Sequence, residues 1–79
     1  MIPSSLVYLM NRADDRYGPF ASTHEAMGVA LEEWQEFVDA VRSNDMVKIH
    51  AECLDLAAVM LRLARQINEG GPIVERSKK

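Results

Sequence analysis

The sequence predicts an all-α protein, because apolar residues recur at helical spacing in three stretches and short turn-forming segments separate them. The chain has 79 residues, near the size at which a single core is only marginally sufficient, yet 48% of them are hydrophobic. We therefore expect a protomer of three helices that assembles as a dimer or a dimer of dimers, with a four-helix-bundle core shared between subunits.

The first predicted helix begins after Pro3 and ends before the Gly18-Pro19 pair, since neither glycine nor proline favours a helix interior. Ser4 or Ser5 is its expected cap. An apolar stripe along this helix is expected to face the core, while its last turns are expected to face water. The charged residues of that wet end are Arg12, Asp14, Asp15 and Arg16.

The second predicted helix begins at Thr23 or His24 and runs to about Arg42. Ser22 and Glu25 have the spacing of a capping box, in which each side chain accepts a hydrogen bond from a backbone N–H near the helix start. In this interpretation Glu25 has a structural role rather than a chemical one.

Placing residues at about 100° intervals divides the second helix into three faces. Glu33 and Glu36 share one face with small residues that allow another helix to approach closely, whereas Glu32 lies on the side towards water. The spacing therefore selects Glu33 rather than Glu32 as the partner of Glu36. The expected core face consists of Met27, Ala30, Leu31, Trp34, Phe37, Val38 and Val41.

The third predicted helix runs from about Asp45 to Asn68, and the short connection before it makes it an antiparallel neighbour of the second. Between Ala51 and Ala64 only three residues are polar, so we expect this helix to be buried nearly all round. An ionised Asp55 in such a run is costly unless it is paired or binds a metal.

We interpret residues 1–69 as one domain and residues 70–79 as a C-terminal tail.

The composition argues against several classes of protein. A net charge of −3 without a basic stripe argues against nucleic-acid binding, and no apolar run is long enough to span a bilayer. Cys53 is the single cysteine, which excludes an internal disulfide. With no secretory signal pattern in the sequence, we expect a reducing, cytoplasmic setting.

Two carboxylate pairs, Glu33-x-x-Glu36 and Glu52-x-x-Asp55, point to a metal site. Residues three apart lie on the same face of a helix, so two antiparallel helices would gather all four acids in one small volume. Four carboxylates this close repel one another too strongly to stay ionised without a cation. Mg²⁺ prefers such oxygen ligands, and Mn²⁺ is the natural substitute.

Buried salt bridges are the structural alternative to a metal, and the cations available for them are Arg62, Arg65 and Lys48. Arg62 either neutralises the acids or faces a substrate phosphate. Tyr17, Phe20 and His24 flank the loop before the second helix, where an aromatic ring could stack on a base. The substrate-binding candidates are therefore Arg62, Lys48, Phe20 and His24.

The stretches LEEWQEF and AECLDLAAVMLRLA, joined by a short antiparallel connection, resemble the MazG-like all-α nucleoside triphosphate pyrophosphohydrolases, whose signature is E-x-x-E followed by E-x-x-D. The stretch RYGPFASTHEAMGVALEE is similar to the small phage and bacterial members. The resemblance covers about residues 12–67. It implies that Glu33, Glu36, Glu52 and Asp55 are Mg²⁺ ligands and catalytic residues.

Members of that family cleave a nucleoside triphosphate between its α and β phosphates, so the resemblance implies release of a nucleoside monophosphate and pyrophosphate. This chain lacks the later segments that complete the pocket in longer members, which favours a contribution from a second subunit. Two alternatives stay open. One is a relative that acts on another pyrophosphate bond, such as that of phosphoribosyl-ATP; the other is a helical oligomerisation or regulatory module with a structural cation.

Overall fold

The computed structural model describes residues 3–70, which form three helices: α1 (Ser4–Tyr17), α2 (Thr23–Ser43) and α3 (Met46–Asn68). No strand occurs in that range, so the all-α prediction is confirmed. The expected C-terminal tail lies, apart from its first residue, outside the described residues. None of the three helices combines the length and the apolar character that crossing a membrane requires.

The start of α1 has no side-chain cap. Pro3 occupies the N-cap position and its carbonyl accepts a hydrogen bond of 3.0 Å from the N–H of Leu6, while Ser4 and Ser5 already lie in the first turn. The expected serine cap is therefore wrong, because the helix begins one residue earlier than the serines would need for capping. At the other end, Gly18 leaves the helix with a φ of 70°, a conformation that favours glycine.

The start of α2 carries the predicted capping pair. Ser22 Oγ accepts a hydrogen bond of 3.0 Å from the N–H of Glu25. Glu25 Oε1 accepts one of 2.6 Å from the N–H of Ala21, one residue before the usual position of the return bond. The structural role expected for Glu25 is confirmed.

Two residues connect α2 to α3. Asn44 adopts a left-handed conformation with a φ of 59°, which asparagine tolerates better than most residues. Asp45 then caps α3, because its Oδ1 accepts hydrogen bonds from the N–H groups of Val47 and Lys48 at 3.0 and 3.3 Å. This tight connection makes α2 and α3 antiparallel neighbours that pack together, as the sequence predicts.

The central helix is α3, since α1 and α2 each pack against it and, within residues 3–70, do not pack against each other. On one side Met10 of α1 packs against Ala58, and on the other Phe20 and Ala26 pack against Val59. The two outer helices therefore flank α3 and leave a groove between them.

Two buried polar side chains of α3 hold the loop between α1 and α2. Gln66 exchanges two hydrogen bonds with the backbone of Phe20, at 2.9 and 2.8 Å. Arg62 donates to Asp14 Oδ1 at 2.9 Å and to the carbonyl of Gly18 at 2.8 Å. Its guanidinium carbon lies 4.7 Å from the centre of the Phe20 ring, a cation–π distance. These contacts fix where α2 begins relative to α3.

An apolar face of the α2–α3 pair is exposed in the single chain. The six side chains of this exposed apolar face, between 44% and 67% exposed, are Met27, Leu31, Trp34 and Val41 of α2 with Met46 and Met60 of α3. The α2 members belong to the face that we expected to form the core. That expectation is wrong for the single chain, because α3 packs against the small-residue face of α2, where Ala26 and Ala40 are buried. The expectation that α3 is buried nearly all round is also wrong for the single chain, because within residues 3–70 only α1 and α2 pack against it and the side that carries Cys53, Met60 and Ala64 stays exposed.

Candidate metal centre and adjoining cavity

Three glutamates from two helices converge between α2 and α3. Glu33 and Glu36 lie one turn apart on α2, and Glu52 faces them from α3; one carboxylate oxygen of each lies within 4.8 Å of the others. We call these three residues the glutamate group. Glu33 and Glu52 are partly buried and Glu36 is exposed, so the group opens to solvent on one side. The helix pair thus brings together three of the four predicted ligands.

Asp55, the fourth predicted ligand, lies beside the glutamate group rather than within it. Its side chain is half-buried and has no oxygen among those that meet within 4.8 Å. Asp55 lies one turn after Glu52 on α3, and its charge contributes to the raised pKa values of Glu33 and Glu52. Asp55 and Glu33 also line the same cavity, so Asp55 lies on the cavity side of the group.

The glutamate group carries more negative charge than its surroundings balance. Oε1 of Glu33 and Oε1 of Glu52 are buried and accept no hydrogen bond from any described residue. Burial, followed by the charges of Glu36, Asp55 and Glu52, raises the pKa of Glu33 from 4.5 to about 7. Burial and the charges of Asp55 and Glu36 raise the pKa of Glu52 as well. Buried carboxylate oxygens without donors are the acceptors that a hard cation would satisfy.

Arg62 and Arg65 do not neutralise the glutamate group. Both pair with Asp14, at 2.9 and 2.6 Å, and these are the only ion pairs within residues 3–70. Burial alone would raise the pKa of Asp14, but the hydrogen bonds and charges of the two arginines outweigh it and lower the pKa below 3.8. The salt-bridge alternative is therefore wrong for both arginines, and Lys48 does not pair with the group either.

Glu32 and Glu33 are adjacent in the chain but have different surroundings. Glu33 belongs to the glutamate group, whereas Glu32 is exposed and lies outside it, on the rim of the adjoining cavity. The geometric part of the prediction, that Glu33 rather than Glu32 turns towards α3, is confirmed. The pair therefore offers a matched comparison of two identical side chains.

A cavity of about 450 Å³ adjoins the glutamate group. This volume is within the range of small-molecule pockets. Its lining includes Asp55 and Val59 of α3, residues of α1 and α2, which both pack on that helix, and the loop that follows Tyr17. Glu33 lines the α2 wall, while Arg12 and Arg16 line the α1 wall. The cavity therefore has carboxylates on one side and guanidinium groups on the other.

The four predicted substrate-binding residues have different environments. Phe20 and Arg62 line the cavity, yet both are only 5% exposed, and Arg62 already bonds Asp14. His24 and Lys48 are exposed and do not line the cavity. The structure thus gives Phe20 and Arg62 a clear role in supporting the loop, and it leaves His24 and Lys48 away from the enclosed space.

Arg12 and Arg16 are exposed, as expected for the solvent-facing end of the first helix, and they also line the cavity, which was not predicted. Their spacing of four was a visible signal, because it places both on one face of α1. That signal could not show that this face borders the cavity, since the side of α3 on which α1 packs depends on long-range contacts. One of these is the ion pair between Asp14 and Arg62, which are 48 residues apart.

Comparison with known proteins finds no match to this chain among family models, curated proteins or solved structures. The resemblance to MazG-like proteins therefore rests on the motifs that carry it, and the interpretation of the site rests on its geometry.

Proposed function

We propose that the chain is a metal-dependent pyrophosphohydrolase, which cleaves a ribo- or deoxyribonucleoside triphosphate to the monophosphate and pyrophosphate. The observation that carries this proposal is the glutamate group, three carboxylates on two helices whose oxygens lie within 4.8 Å and include buried atoms without a partner. The MazG-like resemblance supplies the reaction, because the same residues form the E-x-x-E and E-x-x-D motifs.

Glu33, Glu36, Glu52 and Asp55 would hold Mg²⁺, with Mn²⁺ as a substitute. The donor set fits a hard cation, since it consists of carboxylate oxygens that no arginine or lysine neutralises within residues 3–70. When bound, such a cation supplies neutralisation of the triphosphate charge and polarisation of a phosphoryl oxygen.

The proposed reaction consumes one water molecule. The water oxygen bonds to the α-phosphorus, the bond from that phosphorus to the α,β-bridging oxygen breaks, and the electron pair leaves with pyrophosphate. We assign to Glu36, the exposed member of the glutamate group, the role of orienting the water and accepting its proton. The more buried Glu33 and Glu52 would keep their oxygens directed between the helices.

The cavity supports a substrate larger than a phosphate ion. Its lining combines Glu33 and Asp55 with residues of α1 as far as Tyr17. The cavity volume of about 450 Å³ is consistent with this class of ligand.

We also propose that the protein assembles through the exposed apolar face. Spacings of four and three alternate in α2 at positions 27, 31, 34, 38 and 41, and in α3 at positions 53, 57, 60, 64 and 67. This pattern is typical of a seam between packed helices. Counting about 100° per residue places both stripes on one side of the antiparallel pair. A second copy laid on that side would complete a four-helix bundle from α2 and α3 of each subunit.

The same face favours a second candidate, a helical oligomerisation or regulatory module whose acids bind a structural cation. Measuring pyrophosphate release from a panel of nucleoside triphosphates and phosphoribosyl-ATP, with Mg²⁺ present, separates the two. The enzyme should release pyrophosphate from at least one triphosphate, and Glu33→Gln should lower the rate by orders of magnitude while Glu32→Gln scarcely changes it. Hydrolysis of phosphoribosyl-ATP alone would favour the relative with another substrate, and no release from any compound would favour the module.

A further inference from the structure

The α1 wall of the cavity carries two arginines that form no ion pair within residues 3–70. Arg12 and Arg16 line the cavity opposite Glu33, and neither forms an ion pair with any carboxylate within the described range. The third arginine of the lining, Arg62, differs because Asp14 and the carbonyl of Gly18 already occupy its donors. Positive charge that remains available in the cavity therefore comes from α1.

Each of these arginines is held beside an aromatic ring. The guanidinium carbon of Arg12 lies 5.9 Å from the centre of the Tyr8 ring, and that of Arg16 lies 5.4 Å from the Tyr17 ring. A ring restricts the orientation of a guanidinium group without neutralising its charge. The N–H donors of both arginines thus stay available to an anion, and less side-chain freedom is lost when one binds.

The spacing of the pair suits a chain of phosphates. Residues four apart on a helix have Cβ atoms about 5–6 Å from each other, so two guanidinium groups can reach neighbouring phosphoryl groups. The opposite side of the cavity, with Glu33 and Asp55, repels an anion unless a cation lies between them. A polyphosphate that bridges a cation at the acids and the α1 arginines satisfies both sides.

We propose that Arg12 and Arg16 form a polyphosphate-binding pair that holds the β and γ phosphates of the substrate, the part that leaves as pyrophosphate. This assignment rests on the pyrophosphohydrolase proposal above and names the residues that bind the leaving group. It also explains how a chain with few available cations near the acids can hold a highly charged substrate. The two arginines are binding residues and have no part in proton transfer.

Calorimetric titration of inorganic tripolyphosphate into the full chain with Mn²⁺ tests the pair without catalysis. Arg12→Gln and Arg16→Gln should each weaken binding about tenfold and the double variant about a hundredfold, as expected for charged hydrogen bonds. Arg16→Lys should lose less, because it keeps the charge but not the fork of donors. Arg42→Gln, an exposed charge outside the cavity lining, is the matched control and should bind like the wild type.

A parallel titration of Mn²⁺ alone separates this inference from the proposed function. Both arginine variants should bind Mn²⁺ as the wild type does, and circular dichroism should show the same helical content. Equal tripolyphosphate binding by the wild type and the double variant would overturn the arginine assignment and leave the enzyme proposal standing. Mn²⁺ binding without any tripolyphosphate binding by the wild type would overturn both.

Discussion

Replacing Glu33 by glutamine tests the electrostatics of the glutamate group in the absence of any ligand. Burial and the neighbouring acids raise the pKa of Glu33 from 4.5 to about 7, so the metal-free folded state holds a proton there that the unfolded chain releases. The free energy of unfolding of the wild type should therefore fall as pH rises from about 4.5 to about 7. Glutamine removes this penalty because it has nearly the same shape and never ionises.

The expected gain in the free energy of unfolding follows from the pKa shift of Glu33. Each pKa unit corresponds to about 1.4 kcal/mol, so the shift from 4.5 to about 7 sets a ceiling of about 3.5 kcal/mol for Glu33. Because Glu33 is only partly buried, solvent screening reduces the expected gain at pH 8 to roughly 1–2 kcal/mol. At pH 4, where the carboxyl is protonated in both states, Glu33→Gln should be as stable as the wild type. The lowered pKa of Asp14 acts below 3.8, outside this window.

Urea unfolding followed by circular dichroism, with EDTA and a fixed protein concentration, measures the difference between pH 4 and pH 8. Glu32→Gln is the matched control and should stay within about 0.5 kcal/mol of the wild type across this range, as surface substitutions usually do. A Glu33→Gln variant no more stable than the wild type at pH 8 would refute the account of repulsion among the acids.

Two further predictions concern the loop support and the assembly. Arg62→Gln should destabilise the fold by about 2–4 kcal/mol, because it removes the buried donor of Asp14 Oδ1 and of the Gly18 carbonyl, although Arg65 still pairs with Asp14. Arg65→Gln removes the more exposed of the two ion pairs and should cost about 1 kcal/mol or less in urea unfolding. Trp34→Glu should convert the proposed oligomer into monomers in light scattering, whereas Val47→Glu, at a residue that is 80% exposed and outside the exposed apolar face, should not. A wild type that is a stably folded monomer at micromolar concentration would contradict the assembly proposal.

Local signals were sufficient to predict the helices and the helix pair that carries the acids. A hydrogen bond between Ser22 and Glu25, three residues apart in the sequence, marks the start of α2. Asp45 caps α3 through a hydrogen bond from Val47, two residues further along the chain. Because the connection is only two residues long, α2 and α3 lie antiparallel and next to each other. Once they do, the three-residue spacings are enough to bring Glu33, Glu36 and Glu52 together.

The packing of helices that are distant in the sequence could not be predicted from local sequence patterns. The large apolar face of α2 has the stronger signal of burial, but α3 packs against the small-residue face around Ala26 and Ala40, which permits closer approach. The partner of Arg62 depends on where α1 docks, so Asp14 could not be distinguished from the other acids. The three-residue spacing of Glu52 and Asp55 places both on one face of α3, but it could not predict that only Glu52 joins the glutamate group.

The central claim is that carboxylates of α2 and α3 form a divalent-cation site, and calorimetric titration of Mn²⁺ tests it most directly. The wild type should bind Mn²⁺ and gain thermal stability from it, because a ligand that binds only the folded state stabilises that state. Glu33→Gln, Glu52→Gln and Asp55→Asn should each lose most of the binding and of the gain, while Glu32→Gln keeps both. Equal Mn²⁺ binding by Glu32→Gln and Glu33→Gln, or no binding by the wild type, would contradict the account.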